Sequence, residues 1–443
     1  MAPYANSFLF CAKFMGGTRV FLMVNLGILL LNAMLGIFFN LATFTSRRGL
    51  RGNSLPLLST VPANFTMIET SSELLPAFGI LDNSGNYTSH PFVWAAQAWP
   101  YLTESSHVCL TTQSSVDRLF WLAWQAEAWT GPISVSVFAP GSNYAVAAAM
   151  ISYLRQCFPN VRDRVSFHLV HTRTKPPIYT PYDDFSALNC ETPEDVNNIL
   201  MSLKDENEPP ERRYPQNMLR NLAKRTCKTF YSITIDIDML TPPYMSENIN
   251  GFLTKHSTYS CRRCTYVIPV YELEKSVSYP PNDKEELLIL RLRGKARSFH
   301  IKVYDKNQGN SHLQFWEVEP NKTADTAYSV LYNITSYEEF WEPILLQPYT
   351  APLFDERFIG YGFTRSSQVY ELAKRGYSFK MLDNAFLTHR GFQTTENYEN
   401  HRWAQIEINK LWYQVFKREL HARLGLPPPA KQKPSPLHQQ VLG

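Results

Sequence analysis

An α/β fold, with a doubly wound, mostly parallel sheet behind an N-terminal transmembrane helix, is what the 443-residue sequence predicts. Three observations predict it. From Leu102 onward, strand and helix signals alternate along the chain. Residues 20–39 form an apolar run without an ionisable side chain. The composition, 44% hydrophobic and 19% charged, supports a large core and excludes disorder of the whole chain. Lys plus Arg number 43 against 39 for Asp plus Glu, and a net charge of +4 is too small a basic excess for a nucleic-acid-binding surface.

The apolar run comes first. At about 1.5 Å per residue it crosses a hydrocarbon layer of about 30 Å. It is longer than the roughly 7–15 apolar residues of a cleaved signal peptide and continues to Phe44. Residues 20–44 therefore read as an uncleaved signal anchor behind a cytoplasmic tail of residues 1–19, with a buried core helix as the alternative. Flanking charges do not set the orientation, because Lys13 and Arg19 on one side face Arg47, Arg48 and Arg51 on the other. Two other features do. The Asn-x-Thr sequons at Asn64, Asn86, Asn321 and Asn333 all follow the anchor. Cys11 precedes it, which leaves Cys109, Cys157, Cys190, Cys227, Cys261 and Cys264 beyond it as an even six, in any of fifteen pairings. A type II protein with its bulk in the secretory lumen accounts for both. Residues 45–77 lack a sustained period and read as a stem.

Beyond the stem, residues 107–112 predict a strand. Ser114 to Asp117 then offers a capping box for a helix over residues 119–128. Ile133, Val135 and Val137 alternate with serines, which predicts a strand over residues 132–139. An Ala-rich helix over residues 144–156 and a strand over residues 165–170 follow. The polar, proline-interrupted segment 175–211 reads as an insertion. A helix over residues 215–226 opens at Pro215 and gathers Met218, Leu219 and Leu222 on one side. The strand over residues 230–236 comes directly after it.

Ligands of open α/β sheets bind beyond the carboxyl ends of the strands. Asp236-Ile237-Asp238 stands at that end of the last strand. Two carboxylates on an apolar strand are costly unless a cation meets them, and in an extended chain residues i and i+2 project to one side. Hard oxygen ligands suit Mg²⁺ or Mn²⁺, and those ions suit a departing diphosphate. A helix N-cap or a loop salt bridge is the alternative. His389 follows a second apolar stretch and would complete a mixed O/N set that favours Mn²⁺, although a lone histidine is more often structural. Cys261 and Cys264 have neither a second Cys/His pair nor a redox context, so they read as structural.

Ordered blocks of the sequence resemble glycosyltransferase family 49. They are residues 79–87, 131–139, 214–223, 235–239, 266–272, 354–363 and 386–392. The resemblance spans most of the chain beyond the stem. It implies a GT-A fold over residues 78–423; the proline-rich composition of residues 424–443 separately reads as a disordered tail. The resemblance also implies an inverting, Mn²⁺-dependent transferase of a UDP-sugar, with Asp236, Asp238 and His389 as metal ligands. The implied donor is UDP-glucuronic acid, and the implied acceptor is a xylose-terminated glycan on an O-mannosylated glycoprotein of the dystroglycan type. Golgi residence and association with a LARGE-type glycosyltransferase come with it.

The family's wider pattern places a Glu-Asp pair after the Gly-aromatic-Gly, where this chain has Thr364 and Arg365. Asp355 and Glu356 are then the candidates for the base that takes the acceptor proton, with ion pairing to Arg357 or capping of the following helix as the alternative. A glucuronate carboxylate calls for a cation. Arg220, Arg365 and Arg390 all lie in or beside the quoted blocks, and Arg220 with Asn221, beside Asp236, is the chosen donor contact. Two rivals remain: a family member with another donor, such as N-acetylglucosamine or xylose, and an inert membrane-anchored glycan-binding subunit.

Overall fold

The structure is a computed structural model that describes residues 79–178, 189–204, 214–255, 261–318, 327–394 and 400–430. The signal anchor, the stem, Asn64, Asn321 and the tail beyond residue 430 lie outside the described residues. Among the described residues, no helix is long and apolar enough to cross a membrane.

Fourteen strands are present among the described residues. They are β1 (Ile80–Leu81), β2 (Tyr87–Trp94), β3 (Val108–Ser115), β4 (Ile133–Phe138), β5 (Val165–Thr172), β6 (Tyr231–Thr234), β7 (Met239–Leu240), β8 (Cys264–Ile268), β9 (Val270–Leu273), β10 (Ala296–Ser298), β11 (Val330–Ile334), β12 (Ile344–Pro348), β13 (Ser378–Leu382) and β14 (Leu387–Arg390). Ten form one sheet in the order β1-β2-β5-β4-β3-β6-β12-β8-β13-β11, and four form a second in the order β10-β9-β14-β7.

The run β5-β4-β3-β6 is parallel throughout, as the alternation of strands and helices predicts. The whole sheet is mixed, which corrects the expectation of a mostly parallel one. β2 returns antiparallel onto β5, and β12 enters antiparallel between β6 and β8. The apolar period of a single strand carries no information on the direction of its neighbour, so these reversals leave no mark in it.

Both faces of the parallel strands are covered. Ile133, Val135 and Val137 enter the main core, while Ser134 and Ser136 on the other face are fully buried too. Ser134 Oγ donates to Ala223 O at 2.8 Å and lies 2.9 Å from His168 Nε2, against the helix Gln216–Thr226. Burial alone drives His168 down to about 3, so the imidazole packs as a neutral residue. A second sequence expectation fails nearby: Ser114 and Ser115 do not cap a helix. They extend β3 in register with Val137 and Phe138, and the helix starts only at Trp121. Continuing the ladder satisfies backbone groups that a cap would leave to side chains.

The six cysteines from Cys109 onward pair as Cys109–Cys227, Cys157–Cys190 and Cys261–Cys264. The first ties β3 to the end of the helix Gln216–Thr226, and the second ties the helix Asn143–Cys157 to the segment that carries the helix Pro193–Ser202. Asn86 and Asn333 are exposed, as glycan acceptors must be.

Candidate functional site

The site begins where β6 stops. Ile235 still donates its N–H to Thr111 O at 3.0 Å, and then the chain turns, with Met239 N–H bonded to Asp236 O at 3.0 Å. Gln125, buried on the helix Trp121–Ala128, donates to Ile237 O and Met239 O and fixes this turn. Asp236 and Asp238 are therefore not on an extended chain, as the sequence suggests, and they meet different partners.

Asp236 faces inward with one oxygen. Its Oδ1 accepts from Arg220 Nη2 at 3.0 Å, Arg365 Nη2 at 3.3 Å and Gln113 Nε2 at 3.4 Å. Gln113 is held in turn by the Tyr214 hydroxyl. Burial would raise the Asp236 carboxyl, but the guanidiniums of Arg220 and then Arg365 outweigh it and hold the group well below the usual carboxylate range. Burial and repulsion from Arg220 bring Arg365 down to about 10, which leaves it charged at neutral pH. Oδ2 of Asp236 accepts no hydrogen bond from the described residues, and the side chain is 31% exposed.

Asp238 looks the other way. Its Oδ2 accepts from Arg118 Nη1 at 2.6 Å and lies 3.5 Å from His389 Nε2. The second sheet brings His389 there, because β14 pairs antiparallel with β7 and puts His389 opposite Met239, the residue after the Asp-x-Asp turn. Although burial disfavours the charged imidazole, the hydrogen bond to Asp238 raises its pKa. His300 lies within electrostatic reach of this cluster. Burial and then the nearby His389 lower it to about 4, against the opposing pull of Asp236 and Asp238.

Among the described residues, no three His, Cys, Asp or Glu side chains converge as a ready-made cage. Nucleotide-dependent sites rarely have one, since a hard ion there takes one or two protein ligands and completes its shell with phosphates and water. Adjacent ligands of such an ion lie about 3 Å apart. Asp238 Oδ2 and His389 Nε2, at 3.5 Å, are near that spacing, and each aspartate keeps one oxygen without a hydrogen bond from the described residues. The residues present fit a divalent cation.

The polar stripe Asn217, Arg220, Asn221 and Lys224 is buried along the helix Gln216–Thr226, the reverse of the exposed Arg220 that an isolated amphipathic helix suggests. Burial lowers Lys224 to about 7, and its Nζ donates to Gln347 Oε1 at 3.0 Å. Asn221 does not reach the Asp-x-Asp turn. Its amide donates to Phe354 O and Glu356 Oε1, and its Oδ1 accepts Phe354 N–H. It braces the 354–365 loop, while Arg220 alone of the pair enters the site.

In that loop Asp355 forms an ion pair with Arg357 at 2.6 Å, and Glu356 accepts from Asn221 and lies 3.4 Å from Arg225. This matches the ion-pairing alternative for Asp355 given above. Gly360 and Gly362 have φ of +73° and +90°, and Cβ atoms there would run into Gln405 and Ile406 of the helix Asn400–Leu424. Arg390 is exposed at the end of β14. Sequence reading missed Arg118, which falls between the presumed capping box and its helix, and Gln113, His300 and Glu272. Of these, only Glu272 lies in a quoted block.

An α/β sheet whose central parallel strand ends in an Asp-x-Asp turn, closed by a histidine from a second sheet, is the site of a glycosyltransferase. The chain belongs to glycosyltransferase family 49, described as glycosyl-transferase for dystroglycan, which matches residues 107–425. It is 31% identical over 364 residues to beta-1,4-glucuronyltransferase 1 of Bos taurus, covering 79% of this chain and 82% of the relative. It is 30% identical to the Homo sapiens protein of that name, at the same coverage. Xylosyl- and glucuronyltransferase LARGE2 of Mus musculus is 25% identical, over 72% of this chain and 39% of that one. A crystal structure of GalNAc-T7 with UDP, GalNAc and Mn2+ aligns over 73% of this chain and 52% of that one, at 10% identity and a TM-score of 0.32, too slight a likeness to argue from.

Proposed function

We propose that this glycosyltransferase has a GT-A catalytic domain and transfers glucuronic acid from UDP-glucuronic acid, with inversion and in β-1,4 linkage, to a xylose-terminated O-mannosyl glycan of the dystroglycan type. It works with Mn²⁺ as a single-pass type II Golgi membrane protein with N-glycans at the four sequons. The observation that carries this reading is the cross-strand placement of His389 beside the Asp236–Asp238 turn, inside the family match. The similarity to glucuronyltransferases over most of both chains supports the donor and linkage.

In this reading Asp238 and His389, with the outward oxygen of Asp236, would hold the cation. When bound, Mn²⁺ neutralises the charge that develops on the UDP diphosphate. Arg220 and Arg365 keep Asp236 ionised and fixed without reorganisation during the reaction. Arg118, 54% exposed beside Asp238, supplies a further cation at the site mouth.

The lumenal chain incubated with a xyloside acceptor, Mn²⁺ and a panel of UDP-sugars should use UDP-glucuronic acid at least about tenfold better than UDP-glucose, UDP-xylose or UDP-N-acetylglucosamine, measured as kcat/KM. Preference for another sugar sinks the donor assignment, and absence of any transfer favours the inert subunit.

A further inference from the structure

Glu272 ends the quoted block over residues 266–272 and is completely buried, yet it lies outside the ligand set above. In the parallel ladder of β9 and β14 it stands directly opposite His389. One of its oxygens accepts His300 N–H at 2.9 Å. The other accepts Arg297 Nε at 2.7 Å and Gln393 N–H at 3.1 Å. Arg297 closes the lock by donating to Gln393 O at 2.6 Å and lying 4.3 Å over the Phe392 ring. A single carboxylate thus ties the chain after β10 to the chain after β14.

Those two segments carry the imidazoles of the site. His300 has φ of +62°, a left-handed backbone that residues with a Cβ rarely adopt and that persists only where the surroundings impose it. The bond from its N–H to Glu272 is one such constraint. The Phe299 ring stacks on His300 at 3.8 Å and meets His389 at 5.5 Å, so the two imidazoles share one packed unit. Strained residues of this kind concentrate where a side chain must be aimed at a ligand.

We propose that Glu272 is a positioning residue: through His300 N–H and the Arg297–Gln393 lock it holds both imidazoles against the Asp236–Asp238 turn, where the ring of His300 meets the bound nucleotide-sugar. The His300 imidazole carries two ring nitrogens able to hydrogen-bond oxygens of that ligand. The inference rests on the reading that Asp238 and His389 hold the cation.

Glu272→Gln and His300→Gly test it by three readouts: Mn²⁺ binding without donor, followed by the electron spin resonance of free Mn²⁺, the KM for UDP-glucuronic acid, and the melting temperature. Glu272→Gln should weaken Mn²⁺ binding about 10- to 100-fold, the usual effect of losing a group that orients a metal ligand. His300→Gly should melt no lower than wild type, since glycine accepts the left-handed backbone, while the donor KM rises about tenfold and Mn²⁺ binding stays within about threefold. A folded Glu272→Gln protein with wild-type Mn²⁺ affinity overturns the positioning role. A wild-type KM in His300→Gly overturns the ligand contact. If Glu272→Gln alone misfolds because Arg297 keeps its charge, the pair Glu272→Gln with Arg297→Met carries the same readouts, and His300→Gly stands independently. Asp238→Asn serves as the control. If it too binds Mn²⁺ like wild type, the cation reading itself fails; if it loses Mn²⁺ while Glu272→Gln does not, only this inference fails.

Discussion

Asp238→Asn should leave a folded protein that no longer transfers sugar. Its stability should change little, because of the two contacts it weakens, Arg118–Asp238 involves an arginine that is 54% exposed and His389–Asp238 is long at 3.5 Å. Such pairs are worth no more than about 1 kcal/mol, and asparagine still offers Arg118 an oxygen. For a domain of this size the melting temperature should fall by no more than about 2–4 °C. The rate is another matter. Asn binds a hard cation much more weakly than a carboxylate, and removing one preorganised stabiliser of developing charge costs on the order of 10²–10³ in kcat. A coupled assay of UDP release beside a thermal melt checks both halves. Activity within about tenfold of wild type removes Asp238 from the machinery.

That contrast between a stable fold and a dead site was partly legible in the sequence. The Asp-x-Asp was placed correctly because it follows an apolar strand, and carboxyl ends of parallel strands are where such folds bind ligands. What the aspartates touch was not legible. Period and propensity describe a strand up to Ile235, but the turn that separates Asp236 from Asp238 is held by Gln125, more than a hundred positions away. His389 was found by resemblance and an apolar stretch. Its approach to Asp238 depends on the pairing of β14 with β7, a contact across about 150 residues.

The helix Gln216–Thr226 shows a different limit. Asn217, Arg220, Asn221 and Lys224 recur at helical spacing, so a stripe was visible, but a polar stripe ordinarily faces water. Here it faces the 347–365 segment and Asp236, because that segment supplies acceptors: Asp355 O, Phe354 O, Gln347 and Thr364. No local signal in the helix announces partners that arrive over a hundred residues later. The segment read as an insertion, residues 175–211, contains the helix Pro193–Ser202, tied down by Cys157–Cys190.

Asp236→Ala should behave in the opposite way to Asp238→Asn, losing stability as well as activity. Asp236 is the shared counter-ion of Arg220 and Arg365, which are only 2% and 7% exposed. Without it, two buried like charges face each other, and repulsion from Arg220 already contributes to the lowered pKa of Arg365. Glu342 is a nearby carboxyl, and burial disfavours its charged form although Arg365 and Arg220 favour it. Removing one member of a buried ion set costs about 3–5 kcal/mol, which corresponds to a fall in melting temperature on the order of 10 °C. Acid supplies the second signature. The folded carboxyl is depressed below its unfolded value of 3.8, so its contribution is fully present above that pH and is lost as the pH falls below it. The stability gap between wild type and Asp236→Asn should therefore be constant from pH 7 to about 5 and shrink steadily below about 4, as chemical denaturation at each pH would show. Adding Arg365→Met to Asp236→Ala should recover part of the lost stability and none of the activity, because an apolar side chain of similar length removes the unpaired charge without restoring the carboxylate. Equal stability of wild type and Asp236→Ala at pH 7 would mean that the arginines are solvated in the folded protein and that Asp236 serves the ligand alone.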